Sequence, residues 1–208
     1  QHGYYTSTRT RIGKQGDFFT SSSVHSIFGR LIARQIIQIW QLMGEGPFTL
    51  VEQGAGEGYL CLDILDALTE ESPELYSRLE YRIIELSADH RNRQAERLSS
   101  HVTAGRIAWC EFAELETFSG CFLSNELVDA FPVHIVEKQN NELLEVMVNC
   151  VDGSFVEELA PLTDPRLADY FELSQSPLVE GNRAEVNLAS LDWIGRISGS
   201  MKQGAILT

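Results

Sequence analysis

The stretch that decides the fold is residues 48–58, Phe48-Thr49-Leu50-Val51-Glu52-Gln53-Gly54-Ala55-Gly56-Glu57-Gly58. A short apolar run ends in an acid, three glycines follow, and residues 59–68 then show the apolar spacing of a helix. Glycines at a strand-to-helix junction let the backbone turn sharply and approach a ligand closely, where a Cβ would clash. The stretch therefore predicts a strand, a ligand-binding loop and a helix in immediate succession.

The same alternation continues along the chain. Strands are predicted at residues 81–85, 106–109 and 120–124, and a polar surface helix is predicted at 88–98. An earlier helix, capped within 21–23 and ending near Gly44, is predicted to have an apolar face formed by Val24, Phe28, Leu31, Ile36 and Ile39. Short strands that alternate with helices indicate an α/β domain with a mainly parallel sheet.

The pattern changes at residues 134–159, where β-prone runs are separated by Asn140-Asn141 and by Asp152-Gly153, which predicts antiparallel hairpins. A helix is expected around Trp193 and a further strand at 205–208. We therefore divide the chain into four parts: a Gly-rich loop and helix (1–47), a ligand-binding core (48–133), a hairpin and helix insertion (134–182) and an incomplete return to the core (183–208). A strand with nothing after it indicates that the sequence is a fragment.

The charge balance limits the classes of partner. The 30 acidic and 16 basic side chains give a net charge of −14, with +3 in the first 50 residues and −17 in the remainder. An acidic surface repels phosphate backbones, so nucleic-acid binding is not expected and a cationic partner is favoured. No apolar run approaches the ~18–20 residues that a membrane span needs.

The metal-binding residue types are dispersed. The five histidines are scattered, and no Cys-x-x-Cys pair occurs among the four cysteines, Cys61, Cys110, Cys121 and Cys150. The sequence therefore predicts no metal site, and it predicts buried thiols in a reducing compartment.

The glycine loop favours one class of ligand. A dinucleotide fingerprint needs a third glycine at position 59, which is Tyr59. Acids at Glu52 and Glu57 disfavour a pyrophosphate and suit a ligand with a positive centre and an ammonium group, and S-adenosylmethionine carries both. Glu85 ends the second strand, where it can accept the two ribose hydroxyls of an adenosine. The alternative for Glu85 is a solvated acid at a strand end.

Two further strand ends carry polar residues. Trp109 ends the third strand near where an adenine would lie, although core packing is the simpler role for it. After the fourth strand, Asn125 can hydrogen-bond a reacting amine, and Glu126 with Asp129 can hold a guanidinium group bidentately. The alternative is a helix capped by Asn125 with the two acids in its first turn.

Several blocks in this order resemble the MidA-like S-adenosylmethionine-dependent methyltransferases. The resemblance covers nearly the whole chain and rests on Ile12-x-x-x-Gly16-Asp17-Phe18-x-Thr20-Ser21, Phe28-Gly29, the Glu52 glycine motif, Glu85-Leu86-Ser87, Asn125-Glu126-x-x-Asp129-Ala130-x-Pro132-Val133, Arg183-Ala184-Glu185 and residues 193–204. It departs from the family pattern at Ala55, where many relatives have proline. Eukaryotic members are mitochondrial assembly factors for respiratory complex I and are regarded as protein arginine methyltransferases.

The resemblance implies a Rossmann-like class I methyltransferase sheet, with sequence missing at both ends of the chain. It also implies that the Gly16-Asp17-Phe18 loop folds over the cofactor, with Asp17 and Thr20 as candidate contacts. A bacterial protein of this kind would be cytoplasmic, and a eukaryotic one would be in the mitochondrial matrix.

Together these observations predict methyl transfer from S-adenosylmethionine to an arginine of a protein partner. The predicted cofactor-binding residues are Asp17, Thr20, Glu52, Gly54, Gly56, Gly58, Glu85 and Asn125, and the predicted catalytic residues are Asn125, Glu126 and Asp129. Three alternatives stay open: a non-catalytic assembly chaperone with this fold, a methyltransferase acting on a small molecule and, disfavoured by Tyr59, a nicotinamide dehydrogenase.

Overall fold

A computed structural model describes residues 25–208. Its helices are α1 (Ile27–Leu42), α2 (Tyr59–Glu71), α3 (Pro73–Arg78), α4 (Ala88–Arg97), α5 (Ser99–Thr103), α6 (Arg166–Leu173) and α7 (Leu188–Ser200). Its strands are β1 (Phe48–Gln53), β2 (Leu79–Ile84), β3 (Ile107–Cys110), β4 (Phe118–Leu123), β5 (His134–Gln139), β6 (Glu142–Val151), β7 (Ser154–Pro161), β8 (Arg183–Val186) and β9 (Met201–Leu207). Short 3₁₀ turns span Phe112–Glu114 and Val128–Ala130.

Within residues 25–208 the chain forms two compact units, and the first comprises residues 25–127 together with Ile197–Thr208. This unit contains a sheet of five parallel strands in the order β3-β2-β1-β4-β9. The mainly parallel α/β sheet predicted from the sequence is thereby confirmed. Because the strands are parallel, the ends of β1, β2, β3 and β4 lie at the same edge of the sheet.

The second unit, Val128–Arg196, contains an antiparallel sheet in the order β7-β6-β5-β8. Both predicted hairpins are present. Their turns have positive φ at both central residues, 53° and 64° at Asn140 and Asn141 and 51° and 79° at Asp152 and Gly153, as two-residue type I′ turns require. β8 pairs with β5 in this antiparallel sheet. The sequence predicted instead that residues 183–208 return to the core. A strand of four residues carries no signal that specifies which strand it pairs with.

The apolar face of α1 agrees with the prediction at Ile36, which is buried, and at Phe28 and Ile39, which pack partly buried against the core, whereas Val24 lies outside the described residues. Its buried residues are Gly29, Ala33, Ile36 and Trp40, whereas Leu31 is exposed. Small residues decide this orientation, because a Cβ at Gly29 would collide with the side chain of Asp63 on α2. α1 therefore packs closely on α2 at Gly29, a position that the spacing of the large apolar residues does not mark.

The helix α4 is the polar and mostly exposed helix that was predicted, with two exceptions. Gln94, on α4, and Leu98, just after its end, are both completely buried. This helix faces the loop between β1 and α2, so a polar side chain becomes part of the interior.

The predicted burial of the cysteines holds for two of the four. Cys61 and Cys121 are buried, Cys110 is partly buried and Cys150 is exposed. Burial raises the pKa of the Cys121 thiol to about 12, so this thiol stays protonated and unreactive. Within residues 25–208, no helix is both long and apolar enough to cross a membrane.

The packing of α2, which leads directly out of the glycine loop, generates a stability prediction. Leu65 on α2 is completely buried, and its replacement in Leu65→Ala leaves a cavity, so the free energy of unfolding should fall by about 2–4 kcal/mol. Urea denaturation followed by circular dichroism measures this. Leu42→Ala, at an 87% exposed position on α1, is the control and should change stability by less than about 0.5 kcal/mol. Equal losses in the two variants would contradict the packing described.

Candidate functional site

The candidate site lies at the edge of the parallel sheet where the strand order reverses. β1 pairs with β2 on one side and with β4 on the other, so the chain continues from β1 to one side of the sheet and, after β3, returns to the other side. Open α/β sheets bind ligands in the crevice outside such a switch point. The loop after β1 carries the glycines, the end of β2 carries Glu85, and the loop after β4 carries Asn125 and Glu126.

The glycine loop has the backbone geometry that the sequence predicted. The φ angles of Gly54, Gly56 and Gly58 are 76°, 54° and 79°, a left-handed region that other residues adopt with difficulty. A Cβ at Gly54 would lie 3.1 Å from the Leu127 side chain, and one at Gly58 would lie 3.3 Å from Gln94. The loop is thus a tight turn in which every second residue, Gly54, Gly56 and Gly58, has no side chain.

Glu52, the last residue but one of β1, is almost completely buried, and its Oε2 accepts a 2.7 Å hydrogen bond from the Tyr81 hydroxyl. Burial raises the pKa of its carboxyl from 4.5 to about 7, the Tyr81 hydrogen bond opposes the rise, and the nearby charge of Glu85 adds to it. Glu52 can therefore gain or lose a proton near neutral pH, and a cationic group beside it would favour the ionised form.

Glu85 is also buried, but its surroundings favour the charged form. Its Oε1 accepts a hydrogen bond from the backbone N–H of Ser87 at 2.9 Å. Its Oε2 accepts a hydrogen bond from Gln94 Nε2 at 3.3 Å and lies 3.6 Å from His90 Nδ1. Burial raises the pKa of Glu85, but the hydrogen bonds from His90, Ser87 and Gln94 outweigh it, so the pKa lies below its ordinary value. An ionised carboxylate only accepts hydrogen bonds, which suits a ligand with hydroxyl groups. The solvated acid considered as an alternative is not what the structure shows.

The prediction that Glu57 presents a negative charge to the ligand is wrong. The Glu57 carboxylate lies 2.6 Å from Arg93 and 3.5 Å from Arg97. The Arg97 guanidinium also bonds the Glu57 carbonyl and lies 3.8 Å from the centre of the Tyr59 ring. The charge of Glu57 is thus balanced by α4, and the case for a cationic ligand rests on Glu52 and Glu85.

The sequence analysis missed Gln94. This completely buried side chain bonds the carbonyl of Gly56, the carboxylate of Glu85 and the indole of Trp109. A polar helix offers no apolar periodicity that would mark one glutamine as interior. The one available signal was the proximity in sequence of this helix to Glu85.

The loop after β4 does not form the capped helix considered as the alternative. Ser124 is buried and donates its backbone N–H to Leu207, whereas Asn125 is half-buried and Glu126 is exposed with a φ of 51°. A non-glycine residue with positive φ is uncommon and is found disproportionately at functional sites. Asp129 is exposed in the 3₁₀ turn Val128–Ala130 of the second unit.

Two predicted cofactor contacts, Asp17 and Thr20, lie outside the described residues. Within the described part of the chain, no group of three or more His, Cys, Asp or Glu side chains could hold a metal ion.

The residues present fit S-adenosylmethionine. A bare glycine turn allows close approach of the ligand, the ionised Glu85 can accept ribose hydroxyls, and Glu52 can become the counter-charge of an ammonium group. The family described as "Putative S-adenosyl-L-methionine-dependent methyltransferase" matches residues 31–208. The chain belongs to this family. The match confirms the resemblance to MidA-like methyltransferases and the prediction of S-adenosylmethionine as the cofactor.

Solved structures agree with this assignment. A crystal structure of a Burkholderia thailandensis protein bound to S-adenosyl-homocysteine is 28% identical, with a TM-score of 0.80 over 94% of this chain and 50% of that protein. A native crystal structure from the same organism is 31% identical, with a TM-score of 0.75 over 92% of this chain and 50% of that protein. The Rossmann-like methyltransferase fold is therefore confirmed.

The curated relatives carry more specific names. A Drosophila melanogaster protein named "Protein arginine methyltransferase NDUFAF7 homolog, mitochondrial" is 30% identical over 76% of this chain and 40% of the relative. Its Homo sapiens counterpart is 29% identical over 71% of this chain and 38% of the relative. The chain thus spans about 40% of the length of these relatives.

The protonation of Glu52 generates a pH prediction. Because its pKa is raised in the folded protein, neutral Glu52 contributes stability that is fully present below pH 4.5 and is lost as the pH rises through about 7. The loss amounts to roughly 3 kcal/mol for a shift of this size. Glu52→Gln keeps an acceptor for Tyr81 without the charge, so its melting temperature should exceed that of the unmodified protein at pH 8 more than at pH 5. Calorimetric melting at both pH values measures this, and a difference independent of pH would contradict the burial of a titrating carboxyl. Glu80→Gln, exposed on β2, is the control.

Proposed function

We propose that the protein transfers a methyl group from S-adenosylmethionine to an arginine side chain of a protein substrate. The observation that carries the proposal is the pair of buried acids, Glu52 and Glu85, beside the bare glycine loop at the switch point of the parallel sheet. The names of the curated relatives support arginine as the acceptor, and the acidic charge of residues 51–208 is compatible with a basic segment of a partner.

In the proposed cofactor site, Gly54, Gly56 and Gly58 leave room for the ligand against the backbone of the loop. Glu52 pairs with the amino group at the amino-acid end, and Glu85 accepts the ribose hydroxyls. S-adenosylmethionine supplies an electrophilic methyl group when bound. Alignment of the acceptor with that group is then the main task of the chain.

The acceptor residues are proposed to follow β4. Asn125, half-buried, can hydrogen-bond the acceptor, and Glu126, exposed beside it, can hold and orient a guanidinium group. The Asn125 amide nitrogen lies 3.5 Å from Glu126 Oε1, so the two side chains are neighbours. Asp129 stays a predicted further carboxylate for the acceptor. In this arrangement Glu126 orients the guanidinium and stabilises the positive charge that remains on the methylated product.

The cofactor assignment is tested by the affinity for S-adenosylhomocysteine. Hydrogen bonds to a charged group contribute about 1.5–3 kcal/mol each, so Glu85→Gln should weaken binding by roughly 10-fold or more. Isothermal titration calorimetry measures the dissociation constant, and Glu80→Gln on the same strand should leave it unchanged. Unaltered affinity in Glu85→Gln would remove Glu85 from the ribose site.

The acceptor assignment is tested by radiolabelled methyl transfer into proteins of a cell extract that lacks the enzyme. Glu126→Gln should reduce transfer at least 10-fold while S-adenosylhomocysteine still binds, because the residue is assigned to the acceptor and not to the cofactor. Glu45→Gln is a matched control, since Glu45 is also an exposed glutamate with positive φ, 58°. Transfer that persists in Glu126→Gln would contradict this role, and label found in small molecules and not in protein would favour the small-molecule alternative. Amino-acid analysis of the labelled protein identifies the methylated residue.

A further inference from the structure

The side-chain amide of Gln94, near the candidate site, makes three hydrogen bonds. It is completely buried on α4. Its Nε2 lies 2.7 Å from the carbonyl oxygen of Gly56 and 3.3 Å from Oε2 of Glu85, and its Oε1 lies 2.8 Å from Nε1 of Trp109. One side chain thus joins the loop after β1, the end of β2 and strand β3.

The chemistry of the three partners fixes the orientation of the amide. The indole Nε1–H of Trp109 can only donate, so it must face the amide oxygen, and the carbonyl of Gly56 can only accept, so it must face the amide nitrogen. The second N–H of the amide then points to Glu85. Both N–H groups and the oxygen of Gln94 are therefore engaged, and no rotated state of the amide would satisfy the same partners.

The contact also accounts for the third glycine of the loop. A Cβ at Gly58 would lie 3.3 Å from Cγ of Gln94 and 3.6 Å from the Leu98 side chain, so a glycine lets the loop rest directly on α4. The Gln94 amide then holds the backbone of the loop on the side that faces α4.

We propose that Gln94 is a positioning residue of the cofactor site, which holds the glycine loop, the Glu85 carboxylate and the Trp109 indole in their binding arrangement before the cofactor arrives. The inference rests on the proposed function of this site. A carboxylate has about four lone-pair positions, and on Glu85 the contacts from Ser87, Gln94 and His90 occupy three of them. The orientation of the carboxylate is set by these contacts, so Gln94 acts on the ligand through Glu85.

Gln94→Met tests the inference, because methionine has a similar length and no amide. Isothermal titration calorimetry with S-adenosylhomocysteine should show affinity reduced about 10-fold. The matched control is Leu98→Ala, which removes a completely buried side chain at the same loop but none of the three hydrogen bonds. It should lower the melting temperature and leave the affinity within about 2-fold. In a Glu85→Gln background, Gln94→Met should cause a smaller loss than in the unmodified protein, because the two residues act together.

The pH profile of binding separates positioning from a general structural role. Within residues 25–208, the titratable groups that face Glu85 are His90 on α4 and Glu52 on β1, and Arg91 donates to the Glu85 backbone carbonyl. Loss of the Gln94 donor disfavours ionised Glu85. The acidic limb of the binding curve should therefore move to higher pH in Gln94→Met and stay in place in Leu98→Ala.

The outcomes are distinct. Unchanged affinity in Gln94→Met, or an equal loss in Leu98→Ala, overturns the positioning role while the proposed cofactor site stands. Failure of the unmodified protein to bind S-adenosylhomocysteine contradicts the proposed function itself and, with it, this inference. If Gln94→Met does not fold, Trp109→Phe removes the donor to the Gln94 oxygen and should weaken binding about 3-fold. Unchanged affinity in Trp109→Phe would then overturn the role.

Discussion

The parallel pairing of β1 with β2 on one side and β4 on the other is the constraint on which the rest of the structure depends. It fixes β1 as the central strand and brings the end of each neighbouring strand to the same edge. The acids and glycines that are far apart in sequence become neighbours only through this pairing. It also makes the turn after β1 a crowded place, since the chain must leave the sheet, pass α4 and enter α2 within a few residues. The turn fits in this crowded place because three glycines adopt positive φ and because the buried Gln94 bonds the loop backbone.

Within the crevice, the fold treats two carboxylates differently. Glu52 is buried with one hydroxyl donor, and its pKa rises to about 7, whereas Glu85 has several donors and its pKa falls below the ordinary value. Environment, and not residue type, assigns the two acids their proposed tasks. Glu85 is charged before any ligand binds, and Glu52 acquires its charge most readily when a cation is beside it. A ligand with hydroxyls at one end and an ammonium group at the other matches this difference.

Much of the fold and part of the site could be predicted from sequence. The glycine loop, the strand-end acids and the Asn140-Asn141 and Asp152-Gly153 turns are local signals, because each depends on the conformations that its own residues allow. The exposure of Leu31 on α1 and the burial of Gln94 were missed, since both depend on which helix packs against which surface. The burial of Gly29 on α1 and of Gln94 on α4 has the same cause. At each position two elements approach closely, and this favours a small or a polar residue that no local periodicity reveals. The pairing of Glu57 with Arg93 and Arg97 was missed for the same reason.

The central claim is that Glu85 and the glycine loop form the binding site of S-adenosylmethionine. A crystal structure of the protein with S-adenosylhomocysteine tests it most directly. We expect the ribose hydroxyls to lie within hydrogen-bonding distance of the Glu85 carboxylate, with the Gln94 amide still bonded to Gly56 and Glu85. A ligand bound away from the end of β2, or a Glu85 carboxylate turned away from the ribose, would contradict it.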